Sequence, residues 1–93
     1  MTETNEYIGL LQQLIRIPSA SGQEKEAADL IQHFLENRGC RVHRHLDNLW
    51  IESESASSGK PTLLLNAHID TVKPSAGYTF DPYCGALQDG KIL

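Results

Sequence analysis

Residues 62–71, Thr-Leu-Leu-Leu-Asn-Ala-His-Ile-Asp-Thr, constrain this chain more than any other stretch. An apolar run with the length of one strand passes through small residues and then delivers His68 and Asp70. The run is continuous rather than alternating, so it reads as a strand over 62–67, buried on both faces in a sheet covered by helices. Just past the carboxyl end of such a strand is where ligand chemistry collects in open α/β sheets. A histidine there can present a ring nitrogen to a metal. A carboxylate two residues on can hold that ring in one tautomer. The residues alone leave a second reading open, in which His68 closes a strand end and Asp70 starts a turn. The same spacing recurs at His45-Leu46-Asp47. There, an exposed strand end and a turn beside Asn48 explain it better, so spacing by itself carries little.

The chain ahead of this run is helical. Tyr7, Leu10, Leu11, Leu14 and Ile15 share one face and predict a helix over 4–16, which Ile17-Pro18 ends. Ser21-Gly22-Gln23-Glu24 has capping-box spacing, with the Ser21 hydroxyl accepting from the Glu24 amide and the Glu24 side chain reaching back. A second helix should run to about Asn37, burying Ala27, Leu30, Ile31, Phe34 and Leu35. His33 falls off that stripe, and Gly39 is the natural left-handed stop. From residue 40 the period changes to two. Residues 40–45 alternate with Val42 inward and Arg41, His43 and His45 outward, Asp47-Asn48 signals a turn, and Leu49-Trp50-Ile51 returns.

Residues 52–60 are small and polar and read as a surface loop in which Glu52 and Glu54 have no catalytic part. Asp89-Gly90 opens a hairpin whose return strand, Lys91-Ile92-Leu93, is cut off, so the chain is expected to continue beyond Leu93. The expectation is an α/β architecture, a mixed sheet with flanking helices in the order α-α-β-β-β. Residues 1–93 would then be the N-terminal part of one longer domain.

Composition excludes several classes. Eight basic against twelve acidic residues, a formal charge of −4, supply no basic stripe for nucleic acid. No segment approaches the ~20 apolar residues of a membrane span. The N-terminus Met1-Thr2-Glu3-Thr4-Asn5-Glu6 is acidic and polar, unlike a signal peptide. Two cysteines, Cys40 and Cys84, are too few for a disulfide scaffold and read as reduced, with a cytoplasmic location expected.

The segment from Leu63 to Val72 resembles the first metal-binding motif of the co-catalytic zinc amidohydrolases and peptidases. That family includes acetylornithine deacetylase, succinyl-diaminopimelate desuccinylase, aminoacylase and glutamate carboxypeptidases. Leu14-Ile15-Arg16-Ile17-Pro18-Ser19, then Ser21-Gly22-Gln23-Glu24, is similar to the family's opening helix, "IPS" loop and second helix. Phe80-Asp81-Pro82-Tyr83 and Asp89-Gly90-Lys91-Ile92-Leu93 resemble the approach to its second metal motif. With Val72-Lys73-Pro74 included, the likeness is closest to the acetylornithine deacetylase branch.

The resemblance implies that His68 is a ligand to one of two zinc ions, with cobalt as a substitute, and that Asp70 is the catalytic-site carboxylate behind its imidazole. It also implies a small N-acyl amino acid as substrate, N-acetylornithine first, and a homodimeric parent. The bridging aspartate, the glutamate base and the other ligands would lie after Leu93. One histidine makes no stable zinc site, so these residues alone should be inactive. The competing expectation is a non-enzymatic α/β binding module or a metal-free relative. Within the family, the alternatives are a desuccinylase or a dipeptidase.

Overall fold

The computed structural model describes residues 3–53, 55 and 58–93. Six elements follow in order: α1 (Glu3–Ile15), α2 (Lys25–Asn37), β1 (His43–His45), β2 (Asn48–Trp50), β3 (Leu87–Gln88) and β4 (Lys91–Ile92). Glu3 and Glu6 occupy the first turn of α1, where negative charge complements the helix dipole. Tyr7 of α1 meets Phe34 of α2 with ring centroids 6.0 Å apart. Arg38, just past α2, lies over both rings at 5.2 and 5.5 Å. Its guanidinium also donates to Glu3 at 2.9 Å and to the Glu6 carboxylate. One cation thus joins the two helices through both charge and ring faces.

Helix α2 begins differently from the capping-box expectation. Glu24 takes the N-cap position without a side-chain cap, and its carboxylate accepts from the Gly22 amide at 2.8 Å. The turn closed by Gln23 N–H on the Ala20 carbonyl commits Glu24 to this local bond, so the reciprocal pair with Ser21 does not form. The far end follows the sequence. Gly39 has φ +82°, its amide donates to Glu36 O, and the Cys40 amide donates to Leu35 O. Those two bonds make a Schellman stop. Ala27 and Ala28 are buried, whereas Leu30, Ile31, Phe34 and Leu35 are half-buried and His33 is exposed.

The Schellman bond holds the Cys40 amide at the helix end, and strand β1 starts only at His43, later than expected. Strands β1 and β2 pair antiparallel with His45 opposite Asn48. The loop is therefore Leu46-Asp47, one residue earlier than the expected Asp47-Asn48. Leu46 carries φ +56° there, the sign a type II′ turn requires at its first position. Arg44 sets this register. Its Nε donates to Leu46 O at 2.6 Å and a terminal nitrogen to Asp47 Oδ1 at 3.1 Å. The other terminal nitrogen reaches Asp29 at 2.7 Å and Gln32 at 2.9 Å on α2. Across the strand pair His43 stacks on Trp50, with centroids 5.5 Å apart.

Strands β3 and β4 form the second hairpin, with Leu87 opposite Ile92. Asp89 and Gly90 both have positive φ, as a type I′ turn demands. The return strand is paired, not left open: the Leu93 amide also donates to Ala86 O at 2.8 Å. This end docks on α1 through Gln12 Nε2 to Gly85 O at 2.9 Å and Arg16 Nε to Cys84 O at 3.0 Å. Both cysteines are free thiols.

Two expectations fail here. Residues 62–67 form no strand and are exposed, with Leu63, Leu64 and Leu65 at 83, 79 and 86%. The mixed sheet is replaced by two separate two-stranded antiparallel hairpins and one isolated parallel bridge, Ala20 with Thr71. A strand exists only in a pair, and among the described residues neither hairpin extends to 62–67. The resulting shape is open. The radius of gyration is 15.7 Å, against about 12 Å for a compact chain of this length. Glu54, named in the polar loop, lies outside the described residues. Among the described residues no helix is long and apolar enough to cross a membrane.

Gly39→Ala should cost about 1 kcal/mol in urea unfolding, because the space is open and only the left-handed φ is strained. Gly85→Ala should cost more and free the Gln12 and Arg16 contacts, since a Cβ there would sit 2.7 Å from the Gln12 carbonyl oxygen. The Asp29 carboxyl is held below its ordinary value by the Lys25 hydrogen bond first and the Arg44 hydrogen bond second. Its contribution is therefore complete above about pH 4 and lost as pH falls through the lower folded value. Acid titration by NMR should show the β1–β2 hairpin loosening from α2 in that window, and Arg44→Met should abolish the Arg44-dependent part of the transition.

Candidate metal centre

The backbone at 68–70 forms no regular element, and at Thr71 it is tied by a parallel bridge to the chain leaving α1. Pro18 fixes its own φ and stops helix after the bend at Ile17, so residues 18–20 leave α1 and lie alongside. The Thr71 amide donates to Ser19 O at 2.8 Å, and the Ser19 hydroxyl donates to Ile69 O at 3.1 Å. Ser19 is only 3% exposed. Two residues apart, His68 and Asp70 come together on this segment.

Their contact is close. His68 Nδ1 lies 2.9 Å from the Asp70 carbonyl oxygen and 3.2 Å from Asp70 Oδ1. Both neighbours of Nδ1 are acceptors, so the neutral ring carries its proton there and leaves the Nε2 lone pair free to bind a cation. The imidazole is 85% exposed and the Asp70 side chain 40%. His68 and Asp70 share a trough of about 1140 Å³ with Ile31 and Leu35 of α2, Trp50 of β2 and Leu64. Glu24 and Asp47 also line it.

The donors present fit one imidazole ligand with its orienting carboxylate. Among the described residues, no cluster of three His, Cys, Asp or Glu side chains could complete a metal site. A catalytic zinc takes about three protein ligands, so the described residues do not by themselves make such a site. The other histidines are elsewhere: His33 faces solvent on α2, His43 stacks on Trp50, and His45 is exposed at the end of β1.

Sequence reasoning did not single out two residues that the structure makes prominent. Arg44 had a signal: alternation puts it on the same side as Val42, toward α2, and a half-buried guanidinium there needs acceptors. Ser19 was marked only as the end of the Ile-Pro-Ser motif, and nothing in its own pattern showed what its hydroxyl would bond, because its partners are about fifty residues away.

Nitrogen-15 NMR of the His68 side chain should show the Nδ1-protonated tautomer at neutral pH. Asp70→Asn should weaken that preference without abolishing it, because the main-chain carbonyl of residue 70 remains an acceptor. Equal population of both tautomers in the unsubstituted protein would contradict the geometry.

No protein-family model matches the chain. Curated relatives do. Over 84 residues it is 32% identical to a probable carboxypeptidase of Emericella nidulans, covering 83% of this chain and 20% of that protein. Over 103 aligned residues it is 31% identical to a succinyl-diaminopimelate desuccinylase of Methylobacterium nodulans, covering 99% of this chain and 25% of the relative. A succinyl-diaminopimelate desuccinylase of Rhodopseudomonas palustris is 29% identical over 103 aligned residues, with 99 and 26% covered. The chain thus spans about a fifth to a quarter of the length of the curated relatives it matches. Their names are those of hydrolases, and the similarity is to desuccinylases and carboxypeptidases as a group.

Proposed function

We propose that this chain supplies part of the active site of a metal-dependent amidohydrolase acting on an N-acyl amino acid or a small peptide. The observation that supports this reading most directly is the His68–Asp70 pair, set on a segment similar to hydrolases over nearly its whole length. His68 would offer Nε2 to one of two zinc ions, with cobalt able to substitute. Asp70 would hold the Nδ1 proton and keep the ring aimed. A zinc pair, when bound, supplies an activated water and polarises the scissile carbonyl. The remaining ligands and the general base would come from outside the described residues.

Two substrates follow from different observations. The motif resemblance favours N-acetylornithine, and the names of the relatives favour N-succinyl-diaminopimelate. Both are acylated amines released by the same bond cleavage, so one assay series separates them. The accompanying proposals are a cytoplasmic location, a homodimer and a small-molecule substrate without nucleic acid or membrane.

In the full natural polypeptide, His68→Ala should lower bound zinc, measured by elemental analysis, and reduce amide hydrolysis by at least about a hundredfold. Activity on N-acetylornithine above that on N-succinyl-diaminopimelate and dipeptides would select deacetylation, and the reverse order desuccinylation or peptidase action. Inactivity on all three with zinc bound would reject these substrates. Unchanged metal content in His68→Ala would remove the ligand assignment.

A further inference from the structure

We propose that Ser19 is a positioning residue for the candidate metal centre, acting through the backbone on both sides of Asp70. The proposal rests on the reading of His68 as a ligand. Its mechanical part stands on the geometry alone. Ser19 is the one buried polar side chain among the described residues. Its hydroxyl takes the carbonyl of Ile69 at 3.1 Å, and its own carbonyl takes the amide of Thr71 at 2.8 Å. A single residue therefore grips the main chain immediately before and immediately after Asp70.

The consequence passes to the imidazole by contact. Asp70 touches His68 Nδ1 with both its main-chain carbonyl and its carboxylate. Fixing the 69 and 71 peptide groups fixes the direction of the Asp70 carbonyl and the face on which residues 68 and 70 project. The His68 ring is otherwise largely in solvent, at 85% exposure, so little else restrains it. The parallel bridge between Ala20 and Thr71 extends the same grip by one residue. Without the Ser19 hydroxyl, the Ile69 carbonyl loses its partner while the Thr71 bond survives. The segment would then pivot about residue 71 and broaden the orientations of the ring.

Three proteins test this in the full natural polypeptide: Ser19→Ala, Ser19→Thr and His68→Ala, each titrated with zinc against a chromophoric chelator. Ser19→Ala should weaken zinc binding about tenfold, and Ser19→Thr, which keeps the hydroxyl, should stay within about threefold of the unsubstituted chain. In metal-free protein, nitrogen-15 NMR should show the His68 tautomer preference reduced in Ser19→Ala and restored in Ser19→Thr.

Unchanged zinc affinity and tautomer in Ser19→Ala, with His68→Ala impaired, would overturn the positioning role and leave the ligand assignment standing. Equal losses in the Ala and Thr variants would also overturn it, by showing that packing and not the hydroxyl matters. Unchanged zinc binding in His68→Ala would remove the metal reading, and the tautomer measurement would then decide the mechanical claim. Should Ser19→Ala fail to fold, hydrogen exchange in the unsubstituted protein decides. A protected Thr71 amide supports the grip, and exchange at the rate of a free amide refutes it.

Discussion

The architecture depends on one guanidinium. Arg44 makes four hydrogen bonds, two to the Leu46-Asp47 loop and two to Asp29 and Gln32 of α2. A side chain so engaged and only 21% exposed cannot keep its hydration, so its acceptors must be in place for the hairpin to sit where it does. The planar fork explains why arginine occupies the position: its donors diverge toward a carbonyl, an amide oxygen and two carboxylates at once. Turn register, hairpin and helix contact are consequences of the same group. Arg38 does the parallel work between α1 and α2, using Glu3, Glu6 and two aromatic faces.

Reliance on cations follows from how little is buried. Among the described residues, Ala27 and Ala28 are the only buried hydrophobic ones, and no large side chain is fully enclosed. Hydrophobic stabilisation scales with the area removed from water, and two alanines remove little. The leucines of 63–65 could contribute more, but they stand in solvent along the open trough. The apolar content of the chain is therefore ordinary while its packed core is small. Polar and aromatic links, at Arg44, Arg38 and the Tyr7–Phe34 pair, join the elements.

The candidate site inherits this economy of support. His68 and Asp70 sit on no regular element. What organises them is a pair of hydrogen bonds to Ser19 and a bridge at Ala20, on a stretch that Pro18 keeps out of helix. That placement joins two stretches the family resemblance had quoted separately, the Ile-Pro-Ser loop and the His-x-Asp segment. The relatives with matching sequence are hydrolases, and the local chemistry of a buttressed imidazole agrees with that class. A catalytic zinc centre requires about three such donors, and the described residues bring together one imidazole and one carboxylate.

Local features were legible in the sequence because their causes are local. Helix periodicity set α1 and the end of α2 within a residue or so, while α2 starts about three residues later than the capping-box spacing implied. Gly39 forced the left-handed stop, Asp89-Gly90 the tight turn, and His68-x-Asp70 put a carboxylate within reach of an imidazole. Each needs only the residue's own torsions or its near neighbours. The tertiary structure decided the rest. Whether 62–67 becomes a strand depends on a partner edge, which no periodicity within the run can supply. The loop moved to Leu46-Asp47 because Arg44 found acceptors on both sides of it. Ser19 gained its place from backbone groups about fifty residues away, since a hydroxyl carries no sequence mark of which distant carbonyl it will meet.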